Sequence, residues 1–123
     1  MLIGSNEHEW YMYVDGSPEG LQAALAALPE SVREPLRQRG AQEPDTRRAH
    51  ARITALTEMG CPVYPLAAAA ARTGHRAWAY RFTRVRPGPG GEALLAYHGA
   101  EIPYIFDSHD PWFSHDAVEP QLT

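Results

Sequence analysis

The sequence predicts an α/β fold built on two parallel strands. Three observations predict it. An apolar run opens the chain at residues 1–5, an alternating run lies at 76–85, and helical patterns fill most of the interval between them. Strand, helices and strand in that order make a β–α–β unit with a right-handed crossover. Parallel sheets are normally flanked by further strands and covered on both faces. The sequence supplies helices but no further strands, so the expected sheet is incomplete.

Each element has a local reason. Residues 1–5 are apolar and are closed by Gly4-Ser5-Asn6. Trp10-Tyr11-Met12-Tyr13-Val14 reads equally as a strand or as the first turns of a helix. Asp15-Gly16-Ser17-Pro18 is a turn. Ser17 caps a first helix with Pro18 at its first position, and Leu21, Leu25 and Leu28 follow at near-helical spacing up to Pro29. Ser31 with Glu34 three residues on has the capping-box pattern, and Gly40 stands where a C-terminal glycine belongs, which predicts a second helix over 31–40. Asp45 caps a third helix reaching Thr57. A fourth spans 65–73 and stops at Gly74, and Ala67 to Ala71 give it a small face. In 76–85, Trp78, Tyr80 and Phe82 alternate with residues that include Arg81, and Arg84 follows them. This is the strongest strand pattern in the chain. Pro87-Gly88-Pro89-Gly90-Gly91 reads as a flexible loop, and a short helix is expected within 93–106. No repeat is visible.

Composition narrows the function classes. The 123 residues are read as one partial domain spanning 1–123. All eleven basic residues are Arg, against fifteen Asp and Glu, for a formal charge of −4. With 44% apolar and 21% charged residues, the chain is not of a disordered composition. The acidic balance argues against a nucleic-acid partner, which needs a cationic face. A single cysteine, Cys61, excludes a disulfide framework and a Cys-based zinc site, and it reads as a small buried side chain. No segment has the basic start and apolar core of a signal peptide, and none approaches the ~18 apolar residues of a membrane helix. The expected compartment is the cytoplasm. The strand-like start and the patternless segment 116–123 suggest a piece of something larger.

Two places carry chemistry. Gly4-Ser5-Asn6-Glu7-His8-Glu9-Trp10 follows the first strand. Tyr97-His98-Gly99-Ala100-Glu101-Ile102-Pro103-Tyr104-Ile105-Phe106 follows the second strand and the glycine loop. In open α/β sheets, functional residues collect at the carboxyl ends of strands. A carboxylate at one strand end and a histidine at a later one make two parts of a triad. The acid accepts a hydrogen bond from one ring nitrogen, which leaves the other to take a nucleophile's proton. The acid-before-histidine order is that of α/β-hydrolases.

These residues resemble a family. His98-Gly-Ala-Glu-Ile-Pro-Tyr-Ile-Phe106 looks like the histidine motif of type B carboxylesterases, the group of para-nitrobenzyl esterases and cholinesterases. Trp78-Ala-Tyr-Arg-Phe82 is similar to the strand leading to that motif, and Gly4-Ser-Asn-Glu-His-Glu9 to the acid segment. The resemblance implies the C-terminal part of an α/β-hydrolase fold: the last strands of a mostly parallel sheet with intervening helices. It implies His98 as general base, Glu9 as the acid that orients it, and Glu101 as a supporting carboxylate of the His-Gly-x-Glu motif. The family carries Asp-Glu-Gly where this chain has His8-Glu9-Trp10, which leaves Glu7 as a rival acid. The implied substrate is a carboxylic ester, with no cofactor.

The Gly-x-Ser-x-Gly nucleophile motif and the glycine-rich oxyanion loop are absent from the sequence. The serines are Ser5, Ser17, Ser31, Ser108 and Ser114, and none has that context. The isolated chain is therefore expected to be inactive. A non-catalytic esterase-like binding module and a vestigial truncated product are the alternative readings. His98, Glu101, His109, Asp110, His115 and Asp116 invite a metal reading, but no spacing puts two of them on one helical face, so no metal is expected. Trp112-Phe113 with Tyr104 and Phe106 reads as core or interface. Arg47, Arg48 and Arg52 read as a solvated helix face. The exposed edge of a short sheet predicts self-association.

Overall fold

The computed structural model describes residues 1–108. Its element order is β1 (Leu2–Asn6), α1 (Pro18–Ala26), α2 (Glu30–Ala41), α3 (Thr46–Ala55), a π turn (Leu56–Gly60), α4 (Cys61–Arg72), β2 (Trp78–Phe82), α5 (Pro89–Leu94) and α6 (Ile102–Phe106). β1 and β2 pair in parallel, with Leu2 opposite Trp78 and Asn6 opposite Phe82. Among the described residues these two strands are the whole sheet. In register, Gly4 faces Tyr80, and a Cβ on Gly4 would collide with the tyrosine ring. Glycine is needed there because the ring lies flat across the neighbouring strand.

The helical layer follows local rules at most of its ends. Ser17 caps α1, its hydroxyl accepting from the Gly20 N–H at 3.0 Å, with Pro18 first in the helix. Asp45 caps α3 by accepting from the Arg48 N–H at 3.0 Å. α4 ends in a Schellman turn. Gly74 has φ +83, its N–H reaches the Ala71 carbonyl, and the His75 N–H reaches the Ala70 carbonyl.

Several expectations are corrected. α2 starts at Glu30 with Pro29 as its cap, so Ser31 already lies inside the helix and no capping box forms. The Pro29 carbonyl accepts from the Val32 and Arg33 N–H groups, and Glu34 turns to Arg37 and Gln38 instead. Gly40 is no helix stop. It lies inside α2, where a Cβ would approach the Ile53 side chain at 3.3 Å, so the glycine lets α2 and α3 pack closely. The third and fourth helices are joined, not separate. Pro62 has no N–H to continue the α ladder, and the chain widens by one π turn immediately before it. Part of the expected glycine loop is α5, and residues 10–13 form turns, neither strand nor helix. Cys61, the first residue of α4, is exposed. Arg47 and Arg52 are not simply solvated. The Arg47 guanidinium lies over the Tyr11 ring at 5.5 Å, and Arg52 pairs with Glu7 and Glu43.

The core lies between α1, α2 and α3. Leu25, Leu36 and Ile53 are buried there, with Leu21, Leu28 and Leu56 packed around them. The π turn packs against β1 and α4 against both strands on one face of the sheet. The opposite face carries Leu2 and Trp78, which are 64% and 56% exposed. Tyr104 of α6 packs on Phe82 of that face, with ring centroids 5.5 Å apart. Ile102, Ile105 and Phe106 on α6 remain exposed. No helix among the described residues is long and apolar enough to cross a membrane.

Candidate active site at the strand ends

The first chemical segment begins where β1 stops, whereas the second, residues 97–106, follows β2 only after the stretch that carries α5. Beyond β1 the ladder gains one more rung, the Glu7 N–H to the Phe82 carbonyl at 2.9 Å. The chain then turns. The His8 N–H donates to the Ala96 carbonyl at 3.0 Å, so the acid segment is stitched directly to the segment that precedes His98. Glu9 is 6% exposed. One of its oxygens, Oε1, accepts from the Asn6 N–H at 2.6 Å.

His98 sits on a turn closed by the Ala100 N–H to the Tyr97 carbonyl at 3.0 Å. Gly99 holds φ +85 in the third position of that turn, a conformation that favours glycine. Leu95, Ala96 and Ala100 are buried on either side and anchor the turn. Leu95 itself adopts φ +60 with a buried side chain. A non-glycine residue so held stores about 1–3 kcal/mol of strain, of the kind that collects at functional sites.

The two segments meet side chain to side chain. His98 Nδ1 lies 2.7 Å from Glu9 Oε2, across 89 residues of sequence. Against a carboxylate acceptor Nδ1 is the donor, and a neutral ring with Nδ1–H has its lone pair on Nε2. The acid is buried while the imidazole is 60% exposed. Glu7, the rival acid, is committed elsewhere: Arg81 lies 3.0 Å from its carboxylate and Arg52 3.4 Å. Glu101 stands at the start of α6 but makes no cap with its side chain. It accepts instead from Asn6 Nδ2.

Two participants are not marked out by residue type alone. Asn6 reads as a strand terminator, yet it is the largest fully buried side chain in the molecule's described part. Trp10 reads as one of an apolar run. It stacks on His98, with centroids 6.5 Å apart and planes 10° from parallel. Its position, directly after the candidate acid, is the only sequence signal.

Electrostatics set two neighbours apart. Burial pushes the His8 imidazole below its ordinary range; Glu7 opposes the shift, and Arg52 and Arg48 add to it. Burial raises the Tyr80 phenol, and the nearby Glu101 and Glu9 carboxylates raise it further. Tyr80 therefore stays protonated beside the two acids.

A cleft of about 450 Å³ lies between α2, α3 and β2, lined by Leu36, Arg39, Arg52, Ile53 and Arg81 among others. Neither His98 nor Glu9 lines it. Among the described residues no three His, Cys, Asp or Glu side chains gather as metal ligands. His109, Asp110, Trp112, Phe113, Ser114, His115 and Asp116 lie outside the described residues.

No protein-family model, no curated protein and no solved structure matches the chain.

Proposed function

We propose that this chain supplies the acid and the base of a serine carboxylesterase site, Glu9 and His98, as the C-terminal part of an α/β-hydrolase fold. One observation carries the reading: a buried carboxylate just beyond the carboxyl end of β1 lies 2.7 Å from Nδ1 of a largely exposed histidine. The motif around His98 resembles that of type B carboxylesterases.

The chemistry follows from the tautomer. His98 Nε2 takes the proton of a serine hydroxyl as that oxygen attacks the ester carbonyl. The imidazolium then returns the proton to the departing alcohol. In the second half, water replaces serine as the attacking group, and the proton goes back to the serine as the acid leaves. Glu9 keeps Nδ1 protonated and offsets the imidazolium charge in both halves. No cofactor takes part. The serine and the oxyanion donors must come from polypeptide outside these residues, since the sequence holds no Gly-x-Ser-x-Gly. Losing one oxyanion donor alone costs about 10²–10³ in rate.

The isolated chain is expected to show no para-nitrophenyl ester turnover that depends on His98. Turnover by the chain alone that vanishes in His98→Ala contradicts the half-site reading. Reading the coding DNA upstream of Met1 is the complementary test. An in-frame Gly-x-Ser-x-Gly supports the esterase. A frame without it moves the reading to a non-catalytic binding module.

A further inference from the structure

Asn6 stands at the junction of the two chemical segments, and every donor it has is used there. Its backbone N–H donates to Glu9 Oε1 at 2.6 Å. Its side-chain Nδ2 donates to the Tyr97 carbonyl at 2.7 Å, and also to the Glu101 carboxylate. An amide nitrogen has two protons to give, and both are committed. The partners lie 91 and 95 residues away in sequence, so this one side chain pins the turn that carries His98 to the end of the strand that precedes Glu9.

Its orientation is forced. Turned over, Oδ1 would face a carbonyl and a carboxylate, both acceptors. As it stands, Oδ1 is buried with no hydrogen-bond partner. A buried acceptor left unmatched is unfavourable, and an apolar side chain of the same volume avoids that cost. Neither an apolar residue nor an ionised aspartate makes the two donations. The residue is 2% exposed, whereas the His98 side chain is largely exposed.

We infer that Asn6 is the positioning residue of the Glu9–His98 pair. Its backbone orients the acid, and its side-chain amide holds the histidine turn against it through Tyr97 and Glu101. This rests on the acid–base reading of the pair, but its test needs no ester and no nucleophile.

The test is nitrogen-15 NMR of the whole 123-residue chain, following the His98 tautomer and the exchange of its Nδ1 proton. The parent chain is expected to show the Nδ1–H tautomer with a slowly exchanging proton. Asn6→Ala is expected to speed that exchange roughly tenfold or more and to let the ring sample the other tautomer. Glu101→Gln keeps an oxygen acceptor for Nδ2 and is expected to leave both signatures in place. Far-ultraviolet circular dichroism confirms that each variant folds. A folded Asn6→Ala with parental tautomer and exchange overturns the inference. Should Asn6→Ala fail to fold, Asn6→Asp keeps the volume without the donors and is read the same way. Should both fail, Glu101→Ala, at the half-buried end of the network, decides: faster exchange supports the inference and unchanged exchange overturns it. A chain that passes this test and lacks an upstream nucleophile loses the esterase reading and keeps the positioning role. The reverse result separates them the other way.

Discussion

The helical layer and the strand-end site are held together by different forces. Leu25, Leu36 and Ile53 close the helical layer by burying apolar surface among α1, α2 and α3. The site is closed by directed polar contacts: Asn6 to Tyr97 and Glu101, Glu9 to His98, and His8 to Ala96. Apolar burial is non-directional and tolerates small shifts, whereas hydrogen bonds between segments fix orientation. The layer that needs only cohesion uses the first, and the layer that must aim an imidazole uses the second. The same contrast shows on the surface. The helical core is covered, while one sheet face presents Leu2 and Trp78 to solvent.

The largest expected effect tests that contrast directly. Leu25→Ala removes a buried side chain from the core and is expected to cost about 2–5 kcal/mol in urea unfolding. Leu2→Ala, on the open face, is expected to stay within about 0.5 kcal/mol of the parent. Equal losses would mean that the sheet face is covered in solution.

The next effect sharpens the same point. β1 and β2 each keep one edge without a strand neighbour among the described residues. Sedimentation velocity is expected to show concentration-dependent association, and Leu2→Lys, which places a charge at the edge, is expected to reduce it. A single monomeric boundary at all concentrations counts against an adhesive edge.

The smallest effect follows pH. His8 is buried, and its folded pKa lies below the ordinary 6.5. The unfolded chain therefore binds a proton before the folded chain does. Stability from this residue is complete above about pH 6.5 and is lost as pH falls below that value, flattening once the folded group also titrates. Urea midpoints from pH 7.5 downward are expected to decline, and His8→Gln is expected to flatten the decline. A parental slope in that variant assigns the effect to other groups.

Much of the fold was legible because its signals are local. Ser17-Pro18, Asp45 and Gly74 mark helix ends by conformation and donors within a few residues, and the structure uses all three. The two strands were legible as apolar and alternating runs; in the structure the first is shifted by one residue to Leu2–Asn6 and the second is shortened to Trp78–Phe82. The misreadings share a cause. Ser31 with Glu34 and Gly40 carry the right residue types, but Pro29 starts α2 one residue earlier and Ile53 needs the space at Gly40. In the site, the His98 segment was legible as a motif. The choice between Glu7 and Glu9 was not, because both are carboxylates beyond the same strand. Arg81 and Arg52 draw Glu7 away, and they come from β2 and α3. Asn6 and Trp10 were illegible because their roles exist only once residues 97–101 arrive beside them.

By itself, then, the sequence determined an α/β chain with a parallel strand pair, capped helices between, and a histidine and a carboxylate beyond the strand ends. Backbone preference and side-chain period act over a few residues, so they are written locally. Tertiary structure alone decided which carboxylate meets His98, which nitrogen of that ring carries the proton, and that a buried asparagine joins the two. Each of those depends on groups some ninety residues apart reaching hydrogen-bond distance, which the pairing of β1 with β2 and the His8–Ala96 backbone bond make possible.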